Sequence, residues 1–197
     1  MSEASGASRE PALQQLRLIC NGTLPAVLVN LVMAMAWVWG LGDVPLRSAT
    51  TVWLAVISAV LLARVLFWHQ CRQALMAARD FGPGRWLVRF RLGLFATGFL
   101  WGLAGLLFLP ESPQAAQAFL GMVIVAACAS GLSWLAVDRV GFSMLILPAL
   151  FGLAAGFGRV GGDFAVPVVP AIVLFAGFLL FNADRINRQF KLIHRQA

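Results

Sequence analysis

Few residues in this 197-residue chain are of types that do chemistry, and their spacing excludes more than it allows. The two histidines, His69 and His194, lie at or beyond the ends of apolar runs. A bis-histidine haem in a bilayer needs facing imidazoles within the runs, so none is expected. Cys20, Cys71 and Cys128 lack paired spacing, which argues against structural zinc and against a disulfide framework. No Asp or Glu falls inside an apolar run, whereas a proton-coupled or cation-coupled transporter normally places a carboxylate near the bilayer midplane. No catalytic group, metal or cofactor is therefore expected in this chain.

Three short strings mimic functional motifs. Asp80-Phe81-Gly82 spells the magnesium motif of kinases without the glycine-rich or catalytic loops that accompany it, and reads as a turn. Asn21-Gly22-Thr23 fits a glycosylation sequon but precedes the first apolar run on the side expected to be cytoplasmic. Gly161-Gly162-Asp163-Phe164 spells part of the Gly-Gly-Asp-Glu-Phe signature of diguanylate cyclases, but it lacks the Glu and sits in a tight loop.

The polar residues inside the runs are Asn30, Ser58, Arg64, Thr97, Ser130, Ser133 and Ser143. Arg64 is the only charge among them. About one turn from the end of its run, it is expected to snorkel to the interface. Asn30, Arg64, Trp101, Ser130 and Pro148 are the candidate ligand-contact or hinge positions. Pro148, like Pro167 and Pro170, frees a backbone carbonyl.

The elements that must position these residues are hydrophobic helices. Sixty per cent of residues are apolar and 12% charged, there is no Tyr, and the mean hydropathy is +0.84. Runs at Leu24–Leu41, Ala49–Trp68, Phe90–Leu109, Ala115–Val137, Val140–Phe157 and Phe164–Phe181 each approach the length that crosses about 30 Å of hydrocarbon. Only Asp138-Arg139 separates the fourth from the fifth. The predicted fold is all-α, an integral membrane bundle of six transmembrane helices.

Orientation follows from the basic residues. With the N-terminus inside, Arg9, Arg17, Arg64, Arg72, Arg79, Arg85, Arg89, Arg91, Arg139, Arg185, Arg188, Lys191 and Arg195 are cytoplasmic, and Arg47 and Arg159 lie outside. That distribution predicts both termini in the cytoplasm and explains the net +7 as a property of topology, with no nucleic acid as partner. The outer loops near Gly42–Ser48, Pro110–Pro113 and Arg159–Asp163 are too short for a ligand-binding domain. A signal would enter as a small hydrophobic ligand between helices, or as a property of the bilayer.

Before the first run, Leu13, Leu16 and Ile19 recur at helical spacing after Pro11, predicting an amphipathic leader on the cytoplasmic surface that turns inward at Pro25. Trp37, Trp39 and Trp53 are expected at the outer interface, and Trp68, Trp86 and Trp134 at the inner one. Trp101 lies between Gly98 and Gly102, and Gly152 and Gly156 form a second pair; both pairs predict close helix packing. From Ala176 onward, Leu179, Ala183, Ile186, Phe190, Ile193 and Ala197 recur at alternating intervals of about 3 and 4, a heptad seam that predicts a parallel homodimer through a cytoplasmic coiled coil. The expected organisation is a cytoplasmic leader over 1–23, a six-helix transmembrane domain over 24–181 and the start of a signalling coiled coil over 182–197.

The stretch Gln15-Leu16-Arg17-Leu18-Ile19 with Pro25 and Asn30, the later Trp86, Arg89-Phe90, Gly98, Trp101-Gly102 and Pro110, then Pro148, Gly162-Asp163 and the basic final helix, resembles the multi-helix membrane sensor modules of bacterial diguanylate cyclases and hybrid sensor histidine kinases. The resemblance covers most of the chain. It implies a signal-input domain in the bacterial inner membrane, paired as a homodimer, which controls a C-terminal cytoplasmic output domain. The output it implies is a cyclase making cyclic di-GMP, or alternatively a kinase; any such activity would lie outside this chain. A small membrane transporter and a structural membrane subunit are the readings from other classes.

Overall fold

The computed structural model describes residues 9–40, 47–76 and 83–196. They form seven helices: α1 (Arg9–Gly40), α2 (Arg47–Met76), α3 (Pro83–Phe108), α4 (Gln114–Ser130), the single turn α5 (Leu132–Leu135), α6 (Arg139–Val160) and α7 (Gly162–Gln196). Six segments are long and apolar enough to cross a membrane: Leu13–Gly40, Ser48–Met76, Pro83–Phe108, Gln114–Leu135, Arg139–Val160 and Ala165–Gln189. They match the six predicted runs. Outward-facing Leu28, Val32, Leu62, Leu92, Met122, Phe151, Leu174 and Phe181 are all largely exposed, a surface suited to acyl chains.

At the centre, α3 packs along α6 more closely than any other helix pair. The reason is glycine. A Cβ on Gly98 would run into the Leu145 carbonyl, one on Gly102 into the Pro148 carbonyl, one on Gly152 into Gly102, and one on Gly156 into the Gly105 carbonyl. All four expected packing glycines lie on this contact. Gly105, which sequence spacing did not single out, extends it, with Leu153 Cα 2.9 Å from the place a Cβ would take. Pro148 stays inside α6, and its carbonyl fits against Gly102.

The remaining helices surround this pair. Ala34 and Trp37 of α1, Trp53 and Ile57 of α2, Leu120 and Ile124 of α4, and Leu179 and Ala183 of α7 close on Leu94, Trp101, Phe142 and Leu153 in one core. Trp37 and Trp53, expected in an interfacial belt, belong to it. Trp37 is fully buried between Phe108 and Phe119, and Trp53 meets Trp101 edge-on at 5.2 Å. Trp39 is 90% exposed and lies outside this core.

Three further expectations are corrected. The leader is no separate surface helix: α1 runs unbroken through Pro25. Leu16 and Ile19 are buried in one cluster with Leu87 and Phe90, so the first part of α1 packs on α3. The fourth run pauses at Gly131, whose amide turns to the Cys128 carbonyl at 3.2 Å before α5 begins. Leu179 and Ala183, placed on a seam facing a second copy, are 2% and 0% exposed within the bundle, since α7 still lies on α6 there. At the tight junction of α6 and α7, Gly161 and the first residue of α7, Gly162, have φ of 68° and 73°, a region that L side chains rarely enter. The loop over 41–46 and the Asp80-Phe81-Gly82 turn lie outside the described residues.

Helix lengths carry further information. At 1.5 Å per residue the 35 residues of α7 extend about 50 Å, and the 32 of α1 and 30 of α2 about 45 Å. Each exceeds a hydrocarbon core of about 30 Å. Contacts near the start of α1, the end of α2 and the end of α7 meet at one end of the bundle, where a polar corner forms.

Candidate functional site

The corner is the connection Ala136-Val137-Asp138 between α5 and α6. Asp138 is 3% exposed and accepts two hydrogen bonds from Arg91 of α3, from Nε at 2.9 Å and Nη2 at 2.7 Å. This paired, two-point geometry compensates a carboxylate taken out of water. Gly141 leaves the space the carboxylate occupies, since a Cβ there would stand 2.7 Å from Asp138 Oδ2. The two adjacent charges expected at an interface thus have distinct roles. Asp138 is locked inward, while Arg139 reaches out to Asp184 of α7 at 2.8 Å.

One residue earlier, the Val137 carbonyl accepts from two sides. Gln15 of α1 donates through Nε2 at 3.1 Å, and Asn187 of α7 donates through Nδ2 at 2.6 Å. Asp184 also accepts from Arg188 one turn on, which joins Arg139, Asp184 and Arg188 into a chain along α7. The first turns of α1 and the emerging part of α7 are therefore fastened to the same peptide. The exposed Arg139–Asp184 pair contributes about 0–1 kcal/mol; the buried amide and carboxylate contacts are costlier to break.

Deeper in the bundle lie the polar residues singled out from sequence. Asn30 is 4% exposed; its Oδ1 accepts from Trp101 Nε1 at 2.8 Å, and its Nδ2 donates to the Ala26 carbonyl at 2.8 Å. Trp53 Nε1 donates to the Leu100 carbonyl at 2.8 Å. Arg64 does not snorkel. It is 4% exposed, its stem fills the space left by Gly93, and Nη1 donates to Thr97 Oγ1 at 3.1 Å. None of the ion pairs among the described residues involves Arg64, and its Nε lacks a partner. Thr97 passes the contact on by donating to the Gly93 carbonyl at 2.8 Å. Ser130 donates to the Ala127 carbonyl at 2.8 Å, next to the Gly131 break.

Ile186 is 38% exposed beyond the corner. Phe190 and Ile193 lie on α7, with side chains outside the described ones. An apolar cleft of about 290 Å³ opens between α4, α6 and α7, walled by Gly121, Met122, Leu153, Phe157, Val168 and Ile172. No group of three or more His, Cys, Asp or Glu among the described residues is placed to hold a metal.

The fold and this site define a multi-pass α-helical membrane protein in which one turn, at Val137 and Asp138, is bonded by helices α1, α3 and α7. Compared with protein families, curated proteins and solved structures, the chain matches none.

Sequence reading missed the corner's partners. Asp138-Arg139 was visible as a charged pair, but Arg91 lies 47 residues from Asp138, and Gln15 and Asn187 lie 122 and 50 residues from Val137, whose carbonyl they bond. The available signal was an acid beside a span end, in a chain with only 8 acidic residues.

Proposed function

We propose that this chain is the signal-input part of a bacterial inner-membrane sensor, with both termini in the cytoplasm, acting as a homodimer. Its last helix would control a cytoplasmic output domain, foremost a diguanylate cyclase making cyclic di-GMP. A histidine kinase is the alternative output, since both work through the relative position of two paired helices.

The carrying observation is α7. It is one uninterrupted helix that begins in the bundle, passes the polar corner and continues beyond it. Beyond Pro167 and Pro170 no further proline interrupts it, so a shift in how this part of α7 sits on α6 would be carried along the helix toward its end. Leu179 and Ala183 anchor the helix in its own bundle, which leaves the pairing of copies to Ile186, Phe190 and Ile193 and to the outward Leu174, Phe178 and Phe181. A small hydrophobic ligand entering the cleft between α4, α6 and α7 would press on Val168 and Ile172 and bias that helix.

The test joins Ala197 in frame to a cyclase domain and follows cyclic di-GMP formation. Inserting one to seven alanines after Gln189 should modulate output with helical periodicity and restore it near seven. Asn187→Leu, which frees α7 from Val137, should shift the phase of that pattern. If the chain is monomeric in nanodiscs, and Ile186→Asp with Phe190→Asp leaves output unchanged, the reading is wrong.

A further inference from the structure

Cys20 of α1 and Cys71 of α2, 51 residues apart in sequence, bring their Sγ atoms to 3.2 Å. Both are free thiols, 5% and 0% exposed. Leu16, Ile19, Leu87 and Phe90 pack around them and hold the two helices in register. Spacing along the chain gave no sign of a pair, because the helices are antiparallel neighbours whose ends meet only in the fold.

The two sulfurs differ in their access. Cys20 lines an open cavity of about 490 Å³ together with Arg17, Asn21, Trp68 and Arg72; Cys71 lies behind it and does not line the cavity. Such a cavity is roomy enough for a molecule the size of a peroxide. Two arginines make the cavity electropositive, the setting in which thiolates form and react, whereas an apolar surround leaves a thiol inert. Cys128, in the apolar core, has the second kind of setting.

We propose that Cys20 and Cys71 form a hydroperoxide-reactive dithiol that closes to an intramolecular disulfide between α1 and α2. Cys20 as thiolate attacks one peroxide oxygen; the O–O bond breaks, and the leaving hydroxide takes up a proton as water. Cys20 is now a sulfenic acid. Cys71 attacks the Cys20 sulfur, the S–O bond breaks, and the hydroxyl leaves with the Cys71 proton as a second water. Two thiols and one peroxide give one disulfide and two waters, with two electrons passing to the peroxide. Closing from the observed contact to a covalent bond of about 2.05 Å moves the sulfurs by about 1 Å. This assignment is independent of the signalling reading.

The test treats the full chain in nanodiscs with hydrogen peroxide and reads intact mass, free thiols and linked peptides. Expected are a loss of about 2 Da, disappearance of two of the three thiols, a Cys20–Cys71 peptide pair, and full reversal by dithiothreitol. Cys71→Ala should trap a sulfenic acid on Cys20 that dimedone labels, and Cys20→Ala should leave Cys71 unoxidised. The proposal is overturned if both thiols survive peroxide that oxidises a small free thiol, if Cys128 reacts first, or if the bridge links two chains. The wild-type mass and peptide readouts decide whether or not the alanine variants fold.

Discussion

At the scale of single residues, burial in a membrane sets high stakes for a few polar atoms. The Trp101–Asn30 bond joins α3 to α1 where no water replaces a lost partner. Asn30→Leu strands the indole N–H and should cost about 1–3 kcal/mol. Trp101→Phe with Asn30→Leu removes both partners, and a double-mutant cycle in mixed micelles should return a coupling of about 0.6–1.7 kcal/mol. A coupling of zero would mean that the two side chains do not share the bond. Asn30 and Trp101 stood out in the sequence singly, as an amide and an indole within apolar runs. Their pairing across 71 residues did not, because residue type says nothing about which helices are neighbours. Arg64 was misplaced for a related reason: distance from a span end predicts snorkelling only when no neighbouring helix covers the side chain, and α3 covers this one through Gly93 and Thr97.

At the scale of helices, the six spans were legible because length and hydropathy alone delimit them, and the glycines of α3 and α6 because close approach needs small residues at helical spacing. Gly102 and Gly152 touch backbone to backbone, so adding even a methyl group forces the pair apart. Gly152→Ala should destabilise by about 1–3 kcal/mol, measured as a lower thermal midpoint in detergent. Gly158→Ala on the outer face of α6, with nothing within 4 Å, should not lower that midpoint. Equal effects of the two would remove the case for a glycine-built contact. The heptad seam was legible as a period, but its partner was not. The same 3-4 spacing suits packing within a chain and between chains, and for Leu179 and Ala183 the bundle supplies the neighbour.

At the scale of the whole molecule, the overhanging parts of α1, α2 and α7 gather at one end, and the corner at Val137 ties the first helix to the last. The proposed orientation rests on the sequence, in which the charge rule assigns 13 of the 15 basic residues to the cytoplasmic side. Reporters that fluoresce only in the cytoplasm should therefore light up when joined to either terminus. A dark reporter at one terminus, with the fusion intact, would overturn the proposed orientation. The paired thiols and the Arg17–Arg72 cavity belong to this same end, so chemistry at Cys20 would act within reach of the helix that leaves the bundle.

The oxygen on which Gln15 and Asn187 converge belongs to the main chain and not to the side chain of Val137. Substitution at 137 that keeps the turn leaves it in place, whereas loss of either amide removes one of its two donors. Over generations, position 137 would be free to change among residues of similar bulk, while 15 and 187 would be held to amides. The contact would then leave its trace in descendants as two constrained positions far apart in sequence, with a variable residue at the point where they meet.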